Sequence, residues 1–242
     1  MKQYEAVIQT LEKLGGQATL AELYQEVPKV KDCTWGTKTP FASIRRIVQM
    51  RPEIFKVRPG LWALRSYQSK LNLIEETGET ETDAVVLKQN HSYYQGLILT
   101  VGNLRGFDTF VPHQDKNKPF VNKLLKDIRT LQEIPKFSYD SLVNRCQTID
   151  VVWFNQRGMP NSLFEVEHST DIQNSLLKFN DLQDFYSRMI IVADDLRKRE
   201  FETKILYSAF EDIKQRVKFL GYESLVEQYE NEIKKQKYEF II

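Results

Sequence analysis

The sequence predicts a two-part α+β chain: a small helical unit closed by a β-hairpin, then an α/β unit with a mixed sheet flanked by helices. Three observations predict it. Capped helical patterns followed by a hairpin pattern fill residues 1–65. Helix and strand patterns alternate from 89 to 242. Between them, 66–88 is a polar, acidic linker with no aromatic after Tyr67. At 242 residues the chain is long enough for two domains of ordinary size.

Each element of the first part has its own signal. Tyr4, Val7, Ile8 and Leu11 repeat at helical spacing, and Gly15-Gly16 stops that helix. Thr19-Leu20-Ala21-Glu22 has the form of a capping box and opens a second helix. Thr39-Pro40 is a cap and first-turn pair for a third helix reaching about Met50, with Ile44, Ile47 and Val48 inward. Ile54 to Val57, a turn at Arg58-Pro59-Gly60, and Leu61 to Leu64 read as a hairpin. Three helices and a basic hairpin make a winged helix, whose third helix would read a DNA groove.

Net charge is +1, which hides a local concentration. From Pro28 to Arg65 there are nine Lys or Arg against Asp32 and Glu53, a local balance of +7. A phosphate backbone requires such a surface. Lys38, Arg45 and Arg46, with Lys56 and Arg58 on the hairpin, are the candidate DNA-binding residues. The plainer alternative is a solvated basic face on a protein-binding module.

In the second part, His91–Asn103 reads as a helix, Phe107–Val111 as a strand, and Phe120–Ile134 as an amphipathic helix or loosely helical connection. Ile149–Phe154 and Leu163–His168 are strands joined by a turn from Asn155 to Asn161. Thr170–Phe185 is a helix with Ile172, Leu176, Leu177 and Leu182 on its apolar side. Thr170 and Gln173 have capping-box spacing. Met189–Ala193 is a buried strand, Arg197–Phe210 a helix, Val217–Leu220 a strand, and Tyr222–Lys234 a closing helix.

The two central strands carry the chemistry. Asp150 opens the first, and Glu165 and Glu167 lie two apart in the second, so they share one face. Carboxylates on apolar strands are costly unless they meet a cation or a hydrogen-bond donor. Three acids converging on a hairpin therefore suggest a hard-metal site for Mg²⁺. The first helix offers Gln95 and Asn103 rather than an acid, and Asp108 and Asp115 are further candidates. Cys33 and Cys146 have no metal-ligand spacing and His91, His113 and His168 are scattered, which argues against cysteine-based zinc and for reduced thiols in a cytoplasm. No apolar run approaches a membrane span, and acids follow the start too closely for a signal peptide.

Asp150, fourteen intervening residues, then Glu165-Val166-Glu167 resembles the core of the PD-(D/E)XK nuclease superfamily in its D…E-x-E variant. Glu167 stands where Lys is commoner. The resemblance covers roughly the last 150 residues. It implies a restriction-endonuclease-like sheet, with Asp150, Glu165 and the Val166 carbonyl as ligands for Mg²⁺, or Mn²⁺ in substitution. Glu167 would accept a proton from water or bind a second cation, and Lys178 on the following helix would supply the charge of the motif Lys. Thr39-Pro40, Ile44-Arg45-Arg46 and Phe55 to Leu64 resemble the HARE-HTH winged helix, which occurs fused to restriction-endonuclease modules.

The leading expectation is a Mg²⁺-dependent restriction-type endonuclease. Asp150, Glu165, Glu167 and Lys178 would act on double-stranded DNA. Cutting both strands with one site per chain implies a homodimer or two encounters. A cognate DNA methyltransferase is an expected kind of partner. The alternative is a DNA-binding regulator whose second domain does not cut, a reading kept open by the missing motif Lys.

Overall fold

The computed structural model describes residues 1–71 and 84–239. Most of the expected linker, 72–83, lies outside the described residues. The chain divides into two compact units, Met1–Thr80 with Tyr229–Ile242, and Glu81–Gln228. Residues 229–242, expected with the second domain, cluster with the first unit.

The first unit holds α1 (Gln3–Lys13), β1 (Gln17–Thr19), α2 (Leu20–Glu26), α3 (Phe41–Met50), β2 (Ile54–Arg58) and β3 (Leu61–Leu64). The strands form an antiparallel sheet in the order β1-β3-β2. Val7, Leu11, Leu23, Tyr24, Ile44 and Val48 fill the core, as the helical spacings predict. The expected capping box forms: Thr19 N–H donates to Glu22 Oε2 at 2.8 Å and Glu22 N–H to Thr19 Oγ1 at 3.1 Å. Such a cap stabilises a helix by roughly 1 kcal/mol. At α3, Pro40 rather than Thr39 is the N-cap, and no side chain caps the helix. Strand β1 was missed; three residues are too few for an alternating pattern to register.

The second unit begins with α4 (Ala84–Leu104) and β4 (Asp108–Phe110). A short hairpin follows, β5 (Pro119–Phe120) and β6 (Lys123–Leu124), and then α5 (Asp140–Cys146). The hairpin β7 (Val151–Phe154) and β8 (Pro160–Glu167) leads through α6 (Ile172–Asn180) to β9 (Arg188–Ala193). Helix α7 (Lys198–Lys204), β10 (Val217–Gly221) and α8 (Tyr222–Glu239) complete the chain. The main sheet runs β10-β9-β8-β7-β4. It is mixed: β8, β9 and β10 are parallel, whereas β7 pairs antiparallel with β8 and with β4.

Helices cover both faces. Trp153 Nε1 donates to the Ile98 carbonyl of α4 at 3.2 Å. Ile172, Leu176 and Phe179 of α6 join Leu163, Met189 and Ile191 in the other layer. Glu165 pairs with Ile191 and Glu167 with Ala193 of β9, whereas pairing with β7 ends at Phe164, so the acidic end of β8 runs past its antiparallel neighbour.

Several expected elements differ. Phe120–Ile134 is not helical: it is the β5–β6 hairpin, one 3₁₀ turn at Leu125–Asp127 and a loop. Phe120 is drawn onto α4, its ring 5.7 Å from that of Tyr93 and stacked at 28°, and Val121 adopts φ 52°, outside the helical region. Arg197–Phe210 breaks into α7 and separate turns, with Leu206 74% exposed because the apolar residues do not follow one stripe. Helix α6 ends at Asn180, and Leu177, expected inward, is 45% exposed. Its N-cap is Asp171, which accepts from Gln173 N–H at 2.8 Å, so the Thr170–Gln173 box does not form. Among the described residues no helix is long and apolar enough to cross a membrane.

Candidate active site and metal centre

Strand β8 presents Glu165 and Glu167 on the face covered by α6, where both are buried. Helix α6 answers with Ser175 and Lys178, three residues apart and so on one side. Lys178 Nζ donates to Glu165 Oε1 at 3.0 Å and Oε2 at 2.8 Å, and to the Thr148 carbonyl at 3.2 Å. Ser175 Oγ lies between the two acids, 3.0 Å from Glu165 Oε2 and also against Glu167 Oε1, so they share its one proton. Asp150 N–H reaches Glu165 Oε1 at 3.3 Å, and Val166 N–H donates to Asp150 Oδ2 at 2.8 Å. The hairpin therefore cross-links its own acids through main-chain donors.

Glu167 is held differently. It accepts from Thr170 Oγ1 and Ser175 Oγ, and Arg197 Nη1 lies 3.9 Å away. Its carbonyl accepts from the Tyr222 hydroxyl at 3.1 Å, and the Tyr222 ring stacks on Tyr94 with centroids 3.7 Å apart.

On the other side of Asp150 is a cluster that the sequence reading did not assemble. His91 Nε2 lies 3.4 Å from Asp150 Oδ1. Asp115 joins them, so that one ligand atom from each of His91, Asp115 and Asp150 lies within 4.8 Å of the others. This His/Asp cluster can coordinate a metal ion. Gln95 Nε2 donates to Asp115 Oδ2 at 2.9 Å and to the Asp150 carbonyl at 3.2 Å. Gln95 Oε1 is buried with no hydrogen-bond partner among the described residues. Lys118 Nζ pairs with Asp115 Oδ1 at 2.5 Å.

The electrostatics separate the two strand acids. Burial opposes charge on Asp150, yet the His91 charge and hydrogen bond, aided by Val166 N–H and Lys178, hold its carboxyl below the ordinary value. Burial, reinforced by the Asp150 charge, pushes Glu165 well above the ordinary range against the pull of Lys178 and Ser175. Burial likewise disfavours charge on His91 and Lys178, but Asp150 outweighs it for the imidazole and Glu165 for the ammonium, so both are raised. Acids pushed apart in this way mark functional sites.

The fold thus brings together Asp150, Glu165, Glu167 and Lys178, and adds His91, Asp115, Gln95, Ser175 and Arg197. His91 and Gln95 are four apart on α4, a helical spacing that could have flagged them; their partners lie far away in sequence. Asp108 is not in the cluster, as it is exposed and accepts from Thr130 Oγ1 at 3.1 Å. His168 lies against the Tyr94 and Tyr222 rings, with centroids 6.0 and 5.2 Å away. Directly after Asp115, Lys116 begins the lining of an open cleft of about 600 Å³, shared with Lys126, Asp127, Arg129 and Thr130.

The candidate DNA-binding residues lie in the first unit. Lys38 and Arg46 are exposed, and Lys56 and Arg58 lie half-buried on β2. Arg45, also expected at a groove, donates instead to Glu230 and, at 3.2 Å, to the Tyr24 hydroxyl. Glu230 belongs to the part of α8 that completes this unit.

A mixed five-stranded sheet between helices, carrying an acid-bearing hairpin and a His/Asp cluster able to hold a metal, defines a restriction-endonuclease-like α/β protein. Residues 72–241 match the family model described as the Type II restriction enzyme NmeDI C-terminal domain, and the chain belongs to that family. It is 28% identical over 119 residues to the Type II restriction enzyme NmeDI of Neisseria meningitidis serogroup C. That match covers 45% of this chain and 34% of the relative, so the chain spans about a third of the curated relative it matches. No solved structure matches the chain.

Proposed function

We propose that the chain is a metal-dependent, restriction-type DNA endonuclease. The observation that carries this reading is the arrangement around Asp150: a His/Asp cluster able to hold a metal on one side, and Glu165 with its Lys178 cation on the other. Asp150-x₁₄-Glu165-Val166-Glu167 then serves as a D…E-x-E form of the PD-(D/E)XK motif. Lys178, from α6, supplies the positive charge that the motif Lys brings elsewhere. A divalent ion such as Mg²⁺, when bound, neutralises charge on the scissile phosphate and makes a water more acidic.

The chain's own residues do the rest. Asp150 holds its charge and supplies an anionic oxygen for the ion. Lys178 can stabilise negative charge growing on the phosphate while Glu165 fixes its position. Glu167, engaged by Thr170 and Ser175, acts as a positioning residue rather than the proton acceptor the sequence suggested. Lys116, Lys126 and Arg129 give the neighbouring cleft a basic lining suited to a DNA strand.

In the first unit, the helices and the β2–β3 hairpin support a HARE-HTH-like winged helix that contacts duplex DNA through Lys38, Arg46, Lys56 and Arg58. The relative's description as a Type II restriction enzyme supports a site-specific duplex cutter. A homodimer and a cognate methyltransferase belong to the same reading.

The test is incubation of methylated and unmethylated plasmid and phage DNA with Mg²⁺, Mn²⁺ or EDTA, beside Glu165→Ala. Discrete metal-dependent fragments that vanish in the variant are expected. Gel shifts without cutting of any substrate would replace this reading with a non-cutting DNA-binding regulator.

A further inference from the structure

We infer that the divalent ion of this site is held by His91, Asp115 and the Oδ1 atom of Asp150, with Gln95 Oε1 as a fourth donor, and that the site takes a first-row transition ion such as Mn²⁺ in preference to Mg²⁺. This deepens the nuclease reading by relocating its metal away from the E-x-E pair.

Lone-pair accounting favours this side of Asp150. A carboxylate offers about four acceptor positions, two on each oxygen. Glu165 uses most of them: Lys178 and Asp150 N–H on Oε1 and Lys178 on Oε2, with the one Ser175 proton shared between Oε2 and Glu167. The Lys178 ammonium already bonds both Glu165 oxygens, the atoms that a cation between Asp150 and Glu165 would need. Displacing it would leave two buried charges to be compensated anew. Glu167 is likewise engaged by Thr170, Ser175 and the Arg197 guanidinium. By contrast, among the described residues Asp150 Oδ1 meets the His91 imidazole alone, its other oxygen being taken by Val166 N–H. Each Asp115 oxygen has a single donor, Gln95 on Oδ2 and the partly exposed Lys118 on Oδ1. Lys118 pairs with Asp115 three residues away, whereas Lys178 joins Glu165 and the Thr148 carbonyl, from two other parts of the chain.

The dimensions fit. Metal–ligand bonds of about 2.0–2.2 Å place donors of one shell roughly 3–4.4 Å apart. The three donor atoms lie within 4.8 Å of one another, so closure by a few tenths of an ångström completes the set. Gln95 is the independent sign. Its amide nitrogen orients Asp115 and the Asp150 carbonyl, and its oxygen is a fully buried acceptor with no donor among the described residues. Buried acceptors are seldom left unpaired, and a cation or its water answers this one. The imidazole sets the metal class: Mg²⁺ favours all-oxygen shells, whereas a mixed nitrogen and oxygen set suits first-row transition ions.

Titration of Mn²⁺ into the full chain, followed by the loss of the free-ion electron paramagnetic resonance signal and repeated with competing Mg²⁺, tests this. No DNA is present, so the result stands apart from whether the chain cuts. Wild type should bind Mn²⁺ at least about tenfold more tightly than Mg²⁺, and His91→Ala and Asp115→Asn should each weaken Mn²⁺ by about tenfold or more. Glu165→Gln should stay within about twofold of wild type. Each variant is checked by circular dichroism, and the two losses are read independently in case one variant misfolds. Unchanged Mn²⁺ affinity in a folded His91→Ala, or its abolition in a folded Glu165→Gln, would overturn the assignment. So would Mg²⁺ binding as tight as Mn²⁺. Mn²⁺ binding through His91 without cleavage would leave it standing and end the nuclease reading alone.

Discussion

Lys178 is the residue on which the acid pair depends. Its ammonium reaches both oxygens of a carboxylate whose side chain is 3% exposed. Removing one partner of such a pair typically costs about 3–5 kcal/mol, because the other is left buried and uncompensated. Lys178→Met should therefore lower the urea midpoint sharply, and Lys178→Met combined with Glu165→Gln should recover much of that loss. An additive double variant would show that the pair is not coupled. Cys146 gives a pH prediction. Burial pushes its thiol up to about 12 from an ordinary 9.0. The fold thus favours the protonated form, a contribution fully present below pH 9 and lost as pH rises towards 12. Stability measured by chemical denaturation should fall across that window, less steeply in Cys146→Ala. At pH 8 the native thiol should resist iodoacetamide and react only on unfolding.

At the scale of elements, α4 is the scaffold for His91 and Gln95, and its approach to the β5–β6 hairpin depends on Gly96. A Cβ there would lie 2.1 Å from the Phe120 ring, itself fixed against Tyr93. Gly96→Ala should cost about 1–3 kcal/mol as overpacking. Since Gly96 adjoins Gln95, the same variant should weaken Mn²⁺ binding; a lower melting temperature with unchanged metal affinity would separate the two effects. The acid-bearing hairpin was legible because strand alternation puts Glu165 and Glu167 on one face whatever surrounds them. The cap of α6 was not, because Ser169, Thr170 and Asp171 are all good cap residues and only packing decides among them. Nor was the His91 cluster, whose members come from a helix, a loop and a strand end. The stretch from Phe120 is not one helix because Phe120 packs on α4 while Leu131 and Ile134 join the core around Phe110 and Phe154, so they form no helical stripe of their own.

For the molecule as a whole, the basic balance of +7 between Pro28 and Arg65 remained visible through a net charge of only +1. Its members are not equivalent. Arg46 is exposed, and Arg46→Ala should weaken DNA retention in gel shifts and reduce the salt slope by about one. Arg45 is committed to Glu230, 4% exposed, and Arg45→Ala should act first on thermal stability. An equal loss of DNA affinity in both, with no change in melting, would refute that division. The way α8 is shared between units has a consequence for biosynthesis. Tyr229 meets Thr19 at 3.4 Å and Lys234 lies over the Tyr24 ring at 5.3 Å, within the unit that also holds residues 1–80. Residues 1–80 leave the ribosome before the segment that completes their unit, and arrested nascent chains ending before Tyr229 should leave that unit open to protease after its own helices have emerged.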